Sequence, residues 1–556
     1  MRAASIRMAF GKQLAREDLW VFIAVLALNA IAAALIGGAL AMPADESLIR
    51  ARLGEDLLRG ETVGRQGLIC SVWFAPIPTL LLLPLLAIPW QPLHAVAPFA
   101  LSVAFGALAA VYVNKILRAF SLGSSRFALT ASFVLNPMTL WLSGDGSSAM
   151  IFVALTMASL HYLLLWTQDQ QLRNLALLSI SATLAAISHQ LGGLLALVII
   201  AIVAAKLWRA RAERQRTEGT VLLCIFPMLY AAALWHLVNW LIMGDALYFL
   251  RGVYLETHAT AAPQPARVDI LELLRAAFFL APLFGAGIIL LLLTLFRRAF
   301  RTGALLTVSL SVLLFNAFAA WRFGLDPTTE ILIPRTSLPR AELLALIPLG
   351  CVLFGEFLRN LRDASPRLKP LVESVAIAAV LALIAYNAAW NPAHTERARL
   401  LLAAARRATP EPTVSPDAPL AAQVRDWVLQ RSDRAKRFGS AKVFVCGFGG
   451  YVNFHQPSPP DLSHVRDPRL FINTLDFDFE SAVQDYRGQD LYLLVPEPRG
   501  LSAFDSIHWK YSQVFEGRNA PRLLFDRDFG NWRLFEIVRA PSEDTPRGSA
   551  EMGEKR

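Results

Sequence analysis

The sequence predicts a helical, multi-pass membrane protein that ends in a small α/β domain, and three observations carry that prediction. The 556 residues are 55% hydrophobic and only 17% charged, too apolar for an ordinary soluble chain of this length. Runs of roughly 20 apolar residues, enough helix to cross a bilayer, recur between Leu19 and Ala389. Past Pro419 these runs stop, and short helix-like and strand-like patterns take over. The net charge of +10 raises the question of nucleic acid, but the basic residues cluster in short loops between apolar runs. That pattern orients helices in a bilayer and accounts for the charge without a nucleic-acid partner.

The first span is Leu19–Met42, preceded by Arg2, Arg7, Lys12 and Arg16. It is too long for a signal-peptide core and no small-residue cleavage site follows, so it reads as an uncleaved helix. An acidic step, Asp45-Glu46, comes directly after it. Residues 45–67 then place Leu48, Leu53, Leu57 and Leu58 among polar neighbours, as in a helix lying on the membrane surface. Val72–Pro89 is apolar but broken by Pro76, Pro78, Pro84 and Pro89, which reads as a re-entrant or partly inserted segment. Further spans are expected at Ala95–Leu117, Phe127–Leu142, Ala149–Trp166, Leu175–Ile187, His189–Leu207 and Val221–Met243. Others follow at Ile270–Phe296, Leu305–Ala320, Ala341–Phe357 and Val372–Ala389, for about 11 transmembrane helices.

The basic loops test this count. Lys115, Arg118 and Arg126 form one group, Arg209, Arg211, Arg214 and Arg216 a second, Arg297, Arg298 and Arg301 a third, and Arg359, Arg362, Arg367 and Lys369 a fourth. All fall on the inner side only if Val72–Pro89 does not cross. The N-terminus is then cytoplasmic and the C-terminal domain extracytoplasmic, in a bacterial cytoplasmic membrane. The expected boundaries are a transmembrane domain at 1–392, a linker at 393–417, an α/β domain at 418–540 and a disordered tail at 541–556. In the α/β domain a helix is expected at Ala421–Arg431 and strands at Lys442–Cys446, Leu491–Val495 and Trp532–Val538. Cys224 and Cys351 sit in apolar runs as packing residues, whereas Cys70 and Cys446 share the outer side and could pair.

On this topology three polar sets reach the outer surface. One is Asp45-Glu46. Another is Asp145, in Ser143-Gly144-Asp145-Gly146-Ser147-Ser148 between two spans. The last is basic: Arg335 and Arg340 before Ala341, with Arg50, Arg52 and Arg65 near the first acid pair. A carboxylate can take a proton from an attacking hydroxyl, and arginines can hold a phosphate by paired, charge-assisted hydrogen bonds. Acid and basic clamp at a bilayer surface suit attack on a sugar attached to a lipid phosphate. The leaving phosphate needs charge stabilisation more than a proton, so one carboxylate base suffices.

The residues then carry a resemblance. The chain resembles the GT-C glycosyltransferases that use polyprenyl-phosphate sugars, in particular the protein O-mannosyltransferases and the lipid A aminoarabinose transferase, a bacterial family 39-like group. The likeness lies in Asp45-Glu46, Leu57-Leu58-Arg59-Gly60, Trp73-Phe74-Ala75-Pro76-Ile77-Pro78, the stretch from Asn136-Pro137 to Asp145, and Asn239 through Phe249. It covers roughly residues 15–390. It implies a GT-C-like fold and transfer from a polyprenyl-phosphate sugar to a glycan, lipid or protein acceptor. Asp45 would be the base or a direct acceptor contact, Glu46 would orient the loop or a substrate, and Arg335 and Arg340 would hold the donor phosphate. The chain departs from the family at two places: Arg335-Thr336 and Pro339-Arg340 replace an Arg-Tyr pair, and Ser188-His189-Gln190 replaces a Thr-Arg. His189 takes over that polar role or is a buried, hydrogen-bonded histidine.

Each candidate has a plainer reading beside the functional one. Asp45 also suits a helix N-cap, Glu46 a solvated first-turn acid, Asp145 a turn residue, and Arg335 and Arg340 headgroup anchors. Asp245 and Tyr248 fit loop and interface positions as well as substrate contacts. Gly447-Phe448-Gly449-Gly450 lacks the spacing of a phosphate loop. Asp476-Phe477-Asp478 has the spacing of metal-binding acids in soluble sugar transferases, but no nucleotide sugar is expected outside the membrane. No motif calls for a divalent metal or another cofactor. The competing functions are a flippase for lipid-linked glycans, a glycan polymerase or ligase with a lipid pyrophosphate donor, and a membrane anchor for the outer domain. No internal repeat of the kind transporters show is present.

Overall fold

The computed structural model describes residues 2–39, 45–60, 65, 68–69, 75–211, 213–247, 277–293, 300–323, 344–364, 367, 369–406, 418–431, 441–446, 470–474, 479–497, 507–508, 511, 513–518, 522–530 and 532–538. The chain divides into two compact units. The first comprises Met1–Gly64, Val72–Leu247 and Ala262–Pro412, and the second Arg65–Ser71, Tyr248–Ala261 and Thr413–Arg556.

The first unit is helical. In order it contains α1 (Arg2–Ala33, running on as a π-helical segment Ala34–Ala39), α2 (Asp45–Leu58), α3 (Pro76–Leu86), α4 (Gln91–Ala119), α5 (Ser125–Val134) and α6 (Pro137–Gly144). Then come α7 (Ala149–Asp169), α8 (Leu172–Ala186), α9 (Gln190–Arg209), α10 (Arg214–Met243), α11 (Pro282–Leu293) and α12 (Phe300–Phe323). The unit closes with α13 (Leu346–Ala364), α14 (Lys369–Ala389) and α15 (Pro392–Ala405). Among the described residues six stretches are long and apolar enough to cross a membrane: Arg16–Ile36, Val96–Ala119, Ala149–Asp169, Leu191–Arg209, Arg214–Ile242 and Pro370–Ala389. Shorter apolar helices are Pro76–Leu86, Leu172–Ala186, Pro282–Leu292 and Phe300–Phe315.

Two sequence expectations change. The single span expected at Phe127–Leu142 is two helices, α5 and α6. Asn136 before Pro137 is extended at ψ 126°, the conformation that a following proline ring imposes. Its side chain then caps the new helix by accepting from the backbone N–H groups of Met138 and Thr139 at 2.9 and 3.4 Å. Residues 393–405, the start of the expected linker, belong to the helix α15 (Pro392–Ala405) of the first unit.

The helix α7 is the centre of the bundle, with 78% of its apolar window buried, and it packs against α4 and α8. The helix α10 lies at the edge, with 6% buried, touching α8 and α9. Small and hydroxylated residues join the helices: Ser102 Oγ donates to the Leu142 carbonyl at 2.6 Å, Ser179 Oγ to the Cys224 carbonyl at 2.8 Å, and Ser159 to Ser181 at 3.1 Å. In a bilayer, where apolar burial between helices gains little, such close contacts and hydrogen bonds hold helices together. Cys224 and Cys351 are buried free thiols.

The ends of the helices that carry the basic loops meet in space. Arg118 at the end of α4 grips Asp18 of α1 through both Nη atoms at 2.9 and 3.3 Å, and Arg126 of α5 holds Glu17 at 3.0 Å. Lys115 lies 3.6 Å from Asp18. Arg301 of α12 faces the fully buried Glu356 of α13 at 3.2 Å, and Thr302 Oγ1 donates to the same carboxylate at 3.0 Å. The opposite end is built from α2, α3, the turn after α6, the α8–α9 corner and α15.

The second unit carries a five-stranded sheet with the order β2-β1-β3-β5-β4. The strands are β1 (Ala441–Cys446), β2 (Phe471–Thr474), β3 (Asp490–Pro496), β4 (Leu523–Asp528) and β5 (Trp532–Ile537). β1 pairs in parallel with β2 and β3, and β5 runs antiparallel to β3 and β4. One face packs Val443, Val445 and Leu494 against Val424 and Val428 of α16 (Ala418–Arg431). The other packs Phe444, Leu493 and Phe535 against Ala482 and Val483 of α17 (Phe479–Asp485). The strands β1, β3 and β5 and the helix α16 lie where the sequence predicts them. β2 is only four residues long and β4 ends in Asp526-Arg527-Asp528, so neither shows a clear alternating pattern. The tail 541–556 lies outside the described residues.

Candidate active site

The described candidate residues of the first unit lie at the end away from the basic loops. Asp45 and Glu46 are the first two residues of α2. That puts both acids in a helix first turn, where the unpaired N–H groups favour negative charge. Two residues on, Ser47 is buried and packs on the turn that follows α6, because a Cβ built on Gly146 would stand 3.0 Å from Ser47 Cβ. The start of α2 and the Asp145 turn are therefore neighbours.

The two glycines around Asp145 serve different purposes. Gly144 lets α6 cross against the α1 backbone, for a Cβ there would sit 2.8 Å from Ala33 N. Gly146 has φ +83°, which side-chain-bearing residues rarely adopt. Between them Asp145 is 3% exposed, and its Oδ1 accepts from the Ser147 N–H at 2.9 Å. That is a local Asx turn. The plainer reading of Asp145 thus describes its backbone role, and its burial beside α2 makes it more than a surface turn residue.

His189 caps the N-terminus of α9. Its Nδ1 accepts from the Leu191 N–H at 3.2 Å, which leaves the ring proton on Nε2. The ring stacks on Phe152, in the first turn of α7, with centroids 4.7 Å apart. The same corner is tied to α3, where the Ile77 N–H donates to the Ile187 carbonyl at 3.4 Å. His189 thus rests on the first turn of α7, a helix that begins four residues after Asp145. His189 is half-buried, and it has both a capping role and a place at this end of the unit.

Arg50, expected as an anion contact, is 3% exposed and bound within the protein: its Nη1 donates to the Ala75 carbonyl at 2.9 Å and to Thr79 Oγ1 at 3.0 Å. It ties α2 to the start of α3. Asp245 follows Gly244, which ends α10 at φ +71°, and its Oδ1 accepts from the Leu247 N–H at 2.9 Å, closing a turn of its own. Arg335, Arg340 and Tyr248 lie outside the described residues, as do Arg52's side chain and the side chains of Asp45 and Glu46. Among the described residues no three His, Cys, Asp or Glu side chains come together as a metal site.

Two participants escaped the sequence reading, Ser47 and Phe152. The signal for Ser47 was the Asp-Gly-Ser turn, whose glycine announces a close approach but not the partner. Phe152 stands one helical turn into an apolar span and carried no signal of its own.

No protein-family model and no curated protein matches the sequence. Among solved structures the chain is similar to the oligosaccharyltransferase of Archaeoglobus fulgidus, crystallised with zinc and sulfate, at 11% identity and a TM-score of 0.46, over 88% of this chain and 69% of that one.

Proposed function

We propose that this protein is an integral-membrane glycosyltransferase that moves a sugar from a polyprenyl-phosphate donor to a glycan, lipid or protein acceptor. The observation that carries the proposal is the packing of Ser47 on Gly146, which brings the acidic start of α2 beside the buried Asp145. Two acidic positions held together at the membrane surface, away from the basic loops, suit activation of a hydroxyl next to a lipid-borne donor.

Asp45 is assigned as the base. It takes the proton of the acceptor hydroxyl as that oxygen forms its bond to the anomeric carbon, and the bond from that carbon to the lipid phosphate breaks. Glu46 orients the start of α2, and Asp145 holds the turn against which α2 rests. Arg335 and Arg340 are proposed to take the charge of the leaving phosphate. Arg50 is left out of the anion site, because its described bonds tie α2 to α3. The basic ends of the helices are proposed to face the cytoplasm, so that the site faces outward.

The test is transfer by the purified protein supplied with polyprenyl-phosphate sugars. Asp45→Asn is expected to remove at least about 99% of activity while the protein stays folded, in line with a general base contributing roughly 100-fold or more. Full activity of that variant would overturn the assignment. Accumulation of a lipid-linked sugar in a deletion strain would name the donor.

A further inference from the structure

The strand β4 lies at one edge of the sheet in the second unit. The Val538 N–H donates to the Arg522 carbonyl at 2.8 Å, just before the paired run Leu523↔Ile537, Leu524↔Glu536 and Phe525↔Phe535. Bonded and non-bonded opposite pairs alternate along an antiparallel ladder. Arg522 and Leu524 therefore bond to β5, and the backbone N–H and C=O groups of Leu523 and Phe525 point away from the sheet. The same edge carries apolar surface. Leu524 is 59% exposed and Phe525 57%. Phe525 stands on the face of Phe535, with ring centroids 5.9 Å apart, and Leu524 on the opposite face.

The far half of β4 is guarded against pairing. It has a register shift between Phe525 and Arg527 and the charged run Asp526-Arg527-Asp528, both of which keep an edge from accepting another strand. The stretch Leu523–Phe525 has neither. A lipid surface does not suit it. Lying flat, lipid would cover one of the two apolar side chains. Edge-on, it would enclose the outward N–H and C=O groups in a medium that offers them no partner. A strand suits it, because a strand supplies backbone partners and apolar side chains on both faces.

The strand is its own complement. Run antiparallel to a second copy with Leu524 at the centre, Leu523 meets Phe525 on either side and Leu524 meets Leu524. The Leu523–Phe525 pairs are the ones with outward backbone groups, so each exchanges both N–H···O bonds. Arg522 comes level with Asp526 of the opposite strand, a pairing of unlike charges. Asp526 also holds Trp427 Nε1 at 2.9 Å and Arg431 within its own chain. Other registers fit worse. Centring on Phe525 sets Leu524 against Asp526 and Leu523 against Arg527, and centring on Leu523 sets Phe525 against Pro521, which has no N–H. Copies in one membrane share one orientation, so a two-fold axis along the membrane normal brings like edges together. We propose that two copies of this chain pair through β4, antiparallel about Leu524, and join their sheets into one. The pairing is independent of the chemistry assigned to Asp45.

Disulfide cross-linking of the tagged full chain in native membranes tests this. In the proposed register Leu524 and its counterpart form a non-hydrogen-bonded pair with Cα atoms about 4.5 Å apart, within reach of a disulfide. The wild type sets the background from its four cysteines. With a membrane-permeant oxidant, Leu524→Cys is expected to give at least about tenfold more cross-linked dimer than the wild type or Asp528→Cys, which lies past the register shift. Adding Phe525→Lys to Leu524→Cys puts a charge on the edge and should return the dimer to background. Leu524 and Phe525 are both exposed, so these changes leave the core of the sheet in place. Dimer at background from Leu524→Cys, equal dimer from Asp528→Cys, or dimer undiminished by Phe525→Lys would overturn the pairing. So would a cross-linked product of a mass other than twice that of the chain.

Discussion

Glu356 shows how single residues set the stability of the membrane unit. It is fully buried, takes a hydrogen bond from Thr302 and faces both Arg301 and Arg359. The Arg301 guanidinium also lies 4.1 Å from the Phe120 ring centroid, so it is enclosed by an apolar face on one side and a carboxylate on the other. Removing one partner of such a pair leaves the other charge buried and unpaired. Glu356→Ala is therefore expected to lower stability by about 3–5 kcal/mol, seen as a fall in the melting temperature of the detergent-solubilised protein. Gly146 makes a second test. An alanine there meets an unfavourable φ and the Ser47 side chain together, so Gly146→Ala should cost about 1–2 kcal/mol. Because Ser47 must shift, transfer activity is expected to fall by more than the stability loss alone would cause. Of these residues, Asp145 and its glycines were legible in the sequence, since a small polar cluster between two apolar runs announces a tight turn. Arg50 was not. Its tie to Ala75 depends on where α2 lands, which no local pattern encodes.

At the level of elements, helices that stop inside the apolar region need their freed backbone groups satisfied. The helix leading into α11 stops at Ala281, ahead of Pro282, and the carbonyls of Phe279 and Leu280 are taken up from the corner between α14 and α15. Asn391 Nδ2 donates to Phe279 O at 2.7 Å, and His394 Nε2 donates to Leu280 O at 3.0 Å. Both side chains are fully buried. Asn391→Ala is expected to cost about 1–3 kcal/mol, the penalty of an orphaned buried carbonyl, and to free α15 from the bundle. Faster exchange of the 392–405 peptide would register it. The same logic explains where the sequence misled. Hydropathy runs unbroken from Phe127 to Leu142, yet Asn136-Pro137 carries the helix break and its cap side by side. By contrast α7, whose apolar run has no internal cap, starts and stops close to where the sequence places it, and α10 stops where expected at Met243 but starts seven residues earlier, at Arg214. The short strands of the second unit were half legible. Those with alternating apolar residues, β1, β3 and β5, were found, and the two at the sheet edges were not.

For the molecule as a whole, charge separates one end of the membrane unit from the other. If the basic ends face the cytoplasm, a cysteine at Leu247 should react with a membrane-impermeant thiol reagent in intact cells, and one at Glu213 only after permeabilisation. The reverse result would invert the topology and with it the side on which the site works. The second unit has its own pH response. Burial pushes the His508 pKa down to about 4 from an ordinary value of 6.5, against a raising effect from the bond to the Pro496 carbonyl. The unfolded chain then binds more protons than the folded one between those values. Stability of the sheet is full above about pH 6.5 and falls as pH drops toward 4, by up to about 3 kcal/mol. Exchange of β3 and β5 peptides at decreasing pH measures it, and His508→Gln should flatten the response. One further property follows from the peripheral position of α10. The helical stretch Arg214–Ile242 has 29 residues, but its first turns carry Arg214, Arg216 and Glu218, and the apolar part from Val221 to Met243 is about 35 Å long as a helix; the 21 residues of α7 make about 32 Å, and both are close to the ~30 Å of hydrocarbon in a typical bilayer. Both helices match the bilayer, but among the described residues α7 is covered by protein and α10 is almost entirely left to lipid. Membrane thickness therefore acts on this protein first through α10: a bilayer that departs from its apolar length changes the tilt of that helix, and with it the height of the Gly244–Leu247 turn relative to the bundle.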